Sequence, residues 1–335
     1  MNIKSYPFRE LNANRIGNIF RNYSSYQFAK YSKKTTHPGA PISISIEPTT
    51  SCNLRCPHCP SGLRSFTRDT GMLSEEVNNL ILDQIGNDLL YITYYFQGEP
   101  FLNPGFLDLV KAAHRKKIFT ATSTNAHYLD RDTCERIHDS GLNKLIISID
   151  GTTQETYGKY RIGGKLEKVL DGTKNLVSTK KKSKKSGPWI IWQFIVFEHN
   201  QHELPHIKKL AIDYRVDELQ IKTAQIYDFE HSEGWIPEDK KLSRYEKKGN
   251  QFVIKNKLLN ECWRMWNSAV VTWDGDVVPC CFDKDAKHSM GNVKATDFKA
   301  IWNGSAYKDF RTKLFAGRSN IDICTNCSEG TKTWV

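Results

Sequence analysis

The chain has 335 residues, 39% hydrophobic and 25% charged, which suits one large domain plus a small one around a sizeable core. Its formal charge of +11 suggests an acidic partner, yet Lys180, Lys181, Lys182, Lys184 and Lys185 hold five of those charges in one run that reads as a solvated loop. No apolar run approaches a membrane span, and no zinc-finger spacing, RNP-type aromatic motif or helix-turn-helix pattern supports nucleic-acid binding.

Residues 1–41 read as an N-terminal basic extension with Arg9, Arg15, Arg21, Tyr23, Tyr26, Phe28 and Tyr31. They lack the continuous apolar stretch of a signal peptide and are expected to form a helix packed on the core. From 42 to 225 strands alternate with helices. The strand candidates, 42–47, 91–97, 119–124, 144–150, 189–197 and 218–223, are β-branched and aromatic and bounded by turn signals. The first helix between them starts at Ser74, a good N-cap with Glu75 and Glu76 in the first turn. Others cover 104–116, 130–140, 152 to about 179, and 201–214. Repeated strand–helix units imply a parallel sheet with right-handed crossovers. Periodicity does not separate a six-unit barrel from an open doubly wound sheet. Residues 226–260, charged and holding Gly234, Pro237 and Gly249, read as a linker. A C-terminal unit, 261–335, opens with a hairpin over 268–280 whose Asp274-Gly275 turn is flanked by β-branched residues.

Just after the first strand, Cys52-Asn53-Leu54-Arg55-Cys56-Pro57-His58-Cys59 gives C-x3-C-x2-C spacing with no fourth cysteine nearby. A closed zinc or [4Fe–4S] site wants four protein ligands, so three on a four-iron cluster leave one iron open for chemistry. Spacing alone leaves a zinc site completed by His58 or Cys134 as the other reading, although Cys134 falls in a helix and reads as core. Gly98-Glu99-Pro100 follows the second strand, Ser123-Thr124-Asn125 ends the third, and Ser148 and Asp150 end the fourth. The C-terminal ends of the strands are where a parallel barrel places its site, but these polar residues also suit helix capping. Lys222, near the end of the sixth strand, is a candidate for meeting a carboxylate or phosphate.

Five further cysteines, Cys262, Cys280, Cys281, Cys324 and Cys327, lie in the last third. The hairpin brings Cys262 and Cys280 together, and Cys324-x2-Cys327 can bite one metal centre. Four thiolates make a closed site, either a zinc ribbon or an iron–sulfur cluster. Neighbours on an extended chain point to opposite faces, which leaves Cys281 for packing, with an alternative ligand or a hydrogen-atom donor as other roles. Nine cysteines without a secretion signal point to metal ligands in a reducing, cytoplasmic setting.

The Cys52/Cys56/Cys59 motif with its following Gly98-Glu99-Pro100 resembles the radical S-adenosylmethionine (SAM) superfamily. Two departures are mild: His58 stands where an aromatic residue often precedes the third cysteine, and Gln97 replaces the first glycine of a GGEP-type turn. Cys262-x12-Gly275-x4-Cys280, Gly291-Asn292, Ile301-Trp302-Asn303-Gly304 and Cys324-x2-Cys327 resemble the SPASM or twitch extension of that superfamily. The resemblance covers roughly 42–225 and 262–327. It implies an α/β fold: a partial (β/α)6 barrel with a small hairpin-containing auxiliary-cluster domain. It implies a SAM-binding [4Fe–4S] cluster on Cys52, Cys56 and Cys59. It also implies one auxiliary [4Fe–4S] cluster on Cys262, Cys280, Cys324 and Cys327, since no cysteine follows Cys327. SAM would bind the open iron through its amino and carboxylate groups, near Gly98, Glu99 and Pro100, with Ser123, Asn125, Ser148 and Asp150 toward its ribose and carboxylate.

The implied reaction is reductive cleavage of SAM to a 5′-deoxyadenosyl radical that takes a substrate hydrogen, with a donor such as flavodoxin or ferredoxin. The auxiliary cluster would accept the substrate electron, relay electrons or bind substrate. The implied outcome is oxidation of a small molecule or carbohydrate precursor, because the first forty residues are short for a peptide-binding domain. The alternative is modification of a ribosomally made peptide through a thioether, an epimerisation or a carbon–carbon bond. A non-catalytic zinc or iron–sulfur protein for binding or electron transfer is the reading from another class. No glycine-rich loop follows the first strand, which speaks against a SAM methyltransferase.

Overall fold

The computed structural model describes residues 6–183, 187–227, 234–249, 251–255 and 257–328. Lys184 and Lys185 of the lysine run lie outside them. Six strands run in chain order side by side and all parallel: β1 (Ser43–Ile46), β2 (Tyr91–Tyr94), β3 (Phe119–Thr124), β4 (Lys144–Ser148), β5 (Trp189–Val196) and β6 (Glu218–Thr223). β1 and β6 are not neighbours, so the barrel is partial, as the resemblance implies. One face of each strand (Ile44, Ile46, Ile92, Tyr94, Leu145, Ile147, Trp192, Phe194) is buried against the helices. The other face, with Ser45, Thr93, Ser123 and Ser148, lines the lumen.

The helices are α1 (Ala13–Ser32), α2 (Pro60–Leu63), α3 (Glu75–Ile85), α4 (Phe106–Arg115), α5 (Arg131–Ser140), α6 (Gln154–Tyr160), α7 (Leu166–Lys182) and α8 (Leu204–Asp213). Ser74 caps α3 by accepting from the Val77 N–H, and Asp130 caps α5 by accepting from Thr133 N–H. The helix expected over 152–179 is instead two, α6 and α7. Gly163 at φ +83 and Gly164 break it, and that break aims Arg161 inward. Lys180, Lys181 and Lys182 form the last turn of α7 rather than a loop. Cations suit a helix C-terminus, and Lys180 also pairs with Asp217 at 2.5 Å.

The segment 226–260 is more than a linker. It holds an antiparallel pair, β7 (Tyr245–Lys248) with β8 (Gln251–Ile254), and its Ile226, Trp235, Ile236 and Tyr245 pack beside Cys52 and Cys59. The C-terminal region adds α9 (Arg264–Asn267), β9 (Ser268–Val271), β10 (Asp276–Val278), β11 (Gly291–Asn292), α10 (Phe298–Trp302) and α11 (Ser305–Gly317). β9 and β10 form the expected hairpin, Val271 opposite Val277. β9 also pairs in parallel with β1, Ser43 against Ser268, so the hairpin extends the barrel sheet to nine strands. His37 ties the N-terminal segment to this region. Its Nε2–H donates to Trp266 O at 3.0 Å, while its Nδ1 accepts from Trp302 Nε1–H at 3.1 Å. Burial first, and the nearby Arg311 second, lower its pKa to about 3.

Candidate active site

All six barrel strands and their following loops converge at one end on a cleft of about 900 Å³ that is open to solvent. Cys52, Cys56 and Cys59 line it from the loop after β1, Gly98 and Glu99 after β2, and Ser123 and Asn125 after β3. Ser148 closes β4, Ile195 comes from β5, and Gln225 and Tyr227 follow β6. This is the end at which parallel barrels place their chemistry.

The cysteine loop is held at both ends. Glu47, fully buried, accepts a two-pronged pair from Arg68 at 2.6 and 2.8 Å, and Thr49 bridges to Met72. Cys59 is the N-cap residue of α2, whose Ser61 hydroxyl accepts from Gly98 N–H at 2.8 Å and donates to Gln97 Oε1 at 3.2 Å. The substituted Gln97 therefore stitches the loop to the Gly-Glu-Pro turn. Gly98 sits at φ +74, and a Cβ there would lie 2.2 Å from Thr49 O. The Glu99 N–H donates to Ser51 O at 2.8 Å.

Glu99 is 2% exposed and accepts from Thr124 Oγ1–H and Asn125 N–H, both at 2.7 Å. Burial outweighs these bonds and raises its carboxyl to about 7. Asn125 donates to Asn53 Oδ1 at 2.8 Å and lies 4.0 Å from Cys52 Sγ. The His58 ring lines the cavity and stands edge-on to Trp235 with centroids 4.9 Å apart.

Two expected site residues stand back from the cavity. Pro100 is buried as the first residue of a 3₁₀ turn, where its missing N–H costs nothing. Asp150 is fully buried, and its carboxylate is spent on Arg161 Nε–H at 2.6 Å and Ile195 N–H at 2.7 Å. It does not line the cavity, and its bond to Nε fixes the Arg161 guanidinium. Arg161 lines the cavity, with Nη1 3.8 Å from Cys56 Sγ. Burial opposes its charge, but Asp150 and then Cys56 hold its pKa well above the ordinary value. Lys222 is not among the residues lining this cavity, whereas Lys284 from the C-terminal region is. Gly163-Gly164 was the sequence signal for Arg161. Nothing local marked Lys284, because its approach depends on the long-range β1–β9 pairing.

The second cysteine group also gathers. Cys262, Cys324 and Cys327 are buried around the Arg318 guanidinium, whose Nη2 donates to Cys327 Sγ at 3.0 Å. Cys280 is within electrostatic reach of Cys262. Cys281 does not point away from Cys280 as an extended chain would require. β10 ends at Val278, and the turn after it lets the two side chains hydrogen-bond. Cys280 and Cys281 line a second cavity in the barrel interior with Ser45, Thr93 and Arg264. Cys134 is fully buried in the core, as read.

Among the described residues, no three His, Cys, Asp or Glu side chains converge tightly enough for a single metal ion. Three cavity thiols, with the Arg161 guanidinium 3.8 Å from Cys56 Sγ and the Asn125 amide 4.0 Å from Cys52 Sγ, fit the ligand set and surroundings of an iron–sulfur cluster.

The profile of the radical SAM superfamily matches residues 46–191, and that of an iron–sulfur cluster-binding domain, SPASM, matches 262–328. A cofactor-modifying protein of the tungsten-containing aldehyde ferredoxin oxidoreductase from Pyrococcus furiosus is 26% identical over 84% of this chain and 86% of its own. The PqqA peptide cyclase of Gluconobacter oxydans is 24% identical over 89% and 86%. The SAM-dependent 2-deoxy-scyllo-inosamine dehydrogenase of Niallia circulans is 23% identical over 85% and 92%. The solved structure of BtrN with AdoMet and 2-DOIA matches with a TM-score of 0.54 at 19% identity, over 86% of this chain and 92% of that one. A radical SAM domain works with a [4Fe–4S] cluster, SAM, a reductant and a substrate, and a SPASM domain carries auxiliary iron–sulfur centres. The chain belongs to the radical SAM superfamily and is an enzyme with a C-terminal auxiliary-cluster domain.

Proposed function

We propose that the chain oxidises a small polar molecule or carbohydrate precursor by hydrogen abstraction at the cavity above β1–β6. The observation that carries this reading is the convergence of Cys52, Cys56 and Cys59 with Gly98, Glu99 and Arg161 on one cavity. The three cysteines would hold the SAM-binding cluster, and Cys262, Cys280, Cys324 and Cys327 the auxiliary one. A [4Fe–4S] cluster with SAM supplies the one-electron cleavage that yields a 5′-deoxyadenosyl radical for hydrogen abstraction.

The protein's own residues bind, orient and exclude water. The Gly98–Glu99 turn offers carbonyl and carboxylate acceptors to an ammonium group. Arg161, fixed through Nε by Asp150, keeps Nη atoms for a carboxylate. Ser123, Asn125 and Ser148 offer hydroxyl and amide groups to a ribose. Trp235 over His58 and the adjoining Phe197 and Tyr160 keep the cysteine loop dry. Lys284 and Tyr227 border the space left for substrate. The auxiliary-cluster region supplies Lys284, which supports a role for that region at the substrate. We take 1–41, 42–225, 226–260 and 261–335 as the extension, barrel, connecting hairpin and auxiliary-cluster domain, and a flavodoxin or ferredoxin of the cytoplasm as reductant. No helix among the described residues is long and apolar enough to cross a membrane.

Likeness to the dehydrogenase over 92% of its length supports the small-molecule reading. Likeness to the peptide cyclase supports peptide modification as the second. The test is anaerobic incubation of reconstituted protein with SAM and dithionite, followed by mass spectrometry for 5′-deoxyadenosine. Polyol and aminocyclitol panels are then screened for products lacking two hydrogens, beside peptides encoded near the gene. Oxidised polyol with stoichiometric 5′-deoxyadenosine supports the first reading. Turnover of a peptide alone replaces it with the second, and no 5′-deoxyadenosine under any condition refutes both.

A further inference from the structure

Helix α1 packs inside out. The face turned to the protein is polar: Arg15, Asn18, Asn22 and Ser25 are buried there with Tyr26 and Ala29. They dock by hydrogen bonds. Arg15 donates to the carbonyls of Glu10 and Lys117, each at 2.6 Å. Asn18 and Asn22 donate to Ala40 O at 3.0 and 2.9 Å, and the Ser25 hydroxyl donates to Thr36 O at 2.5 Å.

The apolar residues face outward. Ile16 is 54% exposed, Phe20 72%, Tyr23 53% and Tyr31 85%. At 3.6 residues per turn these four fall within an arc of about 80° and form a ridge about 22 Å long. Phe28 flanks the ridge, and Tyr6 and Phe8 extend the aromatic surface toward the chain start, all exposed. Single exposed apolar residues are ordinary, but four on one arc, interrupted only by Gln27 and with the polar face buried beneath them, are not.

The helix itself carries charge of one sign, and the acid paired to it, Glu261, is taken up by Lys30 at 2.7 Å. Ala13–Ser32 contains no Asp or Glu, and Arg21, Lys33 and Lys34 are exposed beside the ridge. We propose that α1 seats the enzyme on an anionic lipid surface, with the aromatic ridge in the headgroup–acyl boundary and the cations on lipid phosphates. A second copy fits poorly, because a two-fold contact through this face would bring together two basic helices with no Asp or Glu on either to pair Arg21 and Lys34. A convex aromatic ridge suits a fluid interface. The surface lies outside the cysteine cavity and stands independently of the reaction assigned there.

The test is co-sedimentation of the full-length reconstituted enzyme with vesicles of phosphatidylglycerol and phosphatidylcholine, and with phosphatidylcholine alone. The expected result is retention on the anionic vesicles only, released at about 1 M salt, where the Debye length is about 3 Å. F20S/Y31S should lower the bound fraction about tenfold or more, and R21E/K34E similarly, since apolar insertion and charge act together. These side chains are exposed, so unchanged unfolding midpoints certify that the variants are folded. Failure to bind anionic vesicles, equal binding to phosphatidylcholine, or wild-type binding by F20S/Y31S each overturns the proposal. A mass doubling in light scattering that F20S/Y31S abolishes, without vesicle binding, also overturns it by making a second copy the occupant.

Discussion

Removing the Asp150 carboxylate should strand Arg161. In Asp150→Ala the guanidinium, whose side chain is only 14% exposed, loses its 2.6 Å partner, and the Ile195 N–H loses its acceptor. Removing one member of a buried pair costs about 3–5 kcal/mol, and an orphaned N–H about 1–3 kcal/mol. The two losses share one carboxylate and do not add fully, so a fall of about 4 kcal/mol in unfolding free energy is expected. Arg161→Met in the same chain removes the stranded charge while keeping an apolar stem. The double variant should therefore recover to within about 2 kcal/mol of the wild type, the Ile195 N–H remaining unpaired. Guanidinium chloride unfolding of the anaerobic protein measures both values, and 5′-deoxyadenosine production supplies the functional half. The stable double variant should still lose tenfold or more in SAM cleavage, about the worth of a charged hydrogen bond. If Asp150→Ala is as stable as wild type, or the double variant cleaves SAM normally, the positioning argument for Asp150 fails.

Three further outcomes are expected. Gly98→Ala places a Cβ 2.2 Å from Thr49 O at φ +74, so stability should drop by about 2 kcal/mol and SAM affinity should fall with it, as titration calorimetry can measure. His37 is held neutral with a pKa near 3 against 6.5 in the unfolded chain, a lowered histidine. Its stabilisation is therefore complete above pH 6.5 and fades as pH falls toward 3, by about 3 kcal/mol at pH 4, and His37→Gln should flatten that part of the stability–pH curve. Cys262→Ala/Cys280→Ala should reduce bound iron after reconstitution from about eight to about four atoms per chain, whereas unchanged iron would remove the auxiliary-cluster assignment.

Local signals carried the barrel. Ser74 and Asp130 cap the helices they announce, and β3 and β6 begin and end where their β-branched runs do. The cavity thiols and the Gly98–Glu99 turn were legible because their chemistry is compact in sequence. Other features depended on contacts distant in sequence. Parallel pairing of β9 with β1 joins residues more than two hundred apart, and that pairing brings the auxiliary region and Lys284 to the cavity. The helical pattern on both sides of Gly163-Gly164 read as one helix, so the break and the inward turn of Arg161 were not expected. Cys281 was assigned to the opposite face on strand geometry, but the strand stops at Val278. The helix over Ala13–Ser32 was expected to pack on the core, but not by its polar side. That choice rests on carbonyls of Lys116, Lys117 and Ala40 that no local window reveals.

The measurement that bears most directly on the central claim is low-temperature electron paramagnetic resonance of the reduced, reconstituted Cys262→Ala/Cys280→Ala protein, with and without SAM. This variant isolates the Cys52/Cys56/Cys59 centre. A [4Fe–4S] signal whose g values shift on adding SAM is predicted, because a cluster held by three cysteines would leave one iron open to SAM. A cluster signal indifferent to SAM, or zinc with no cluster, would contradict a radical mechanism at this cavity.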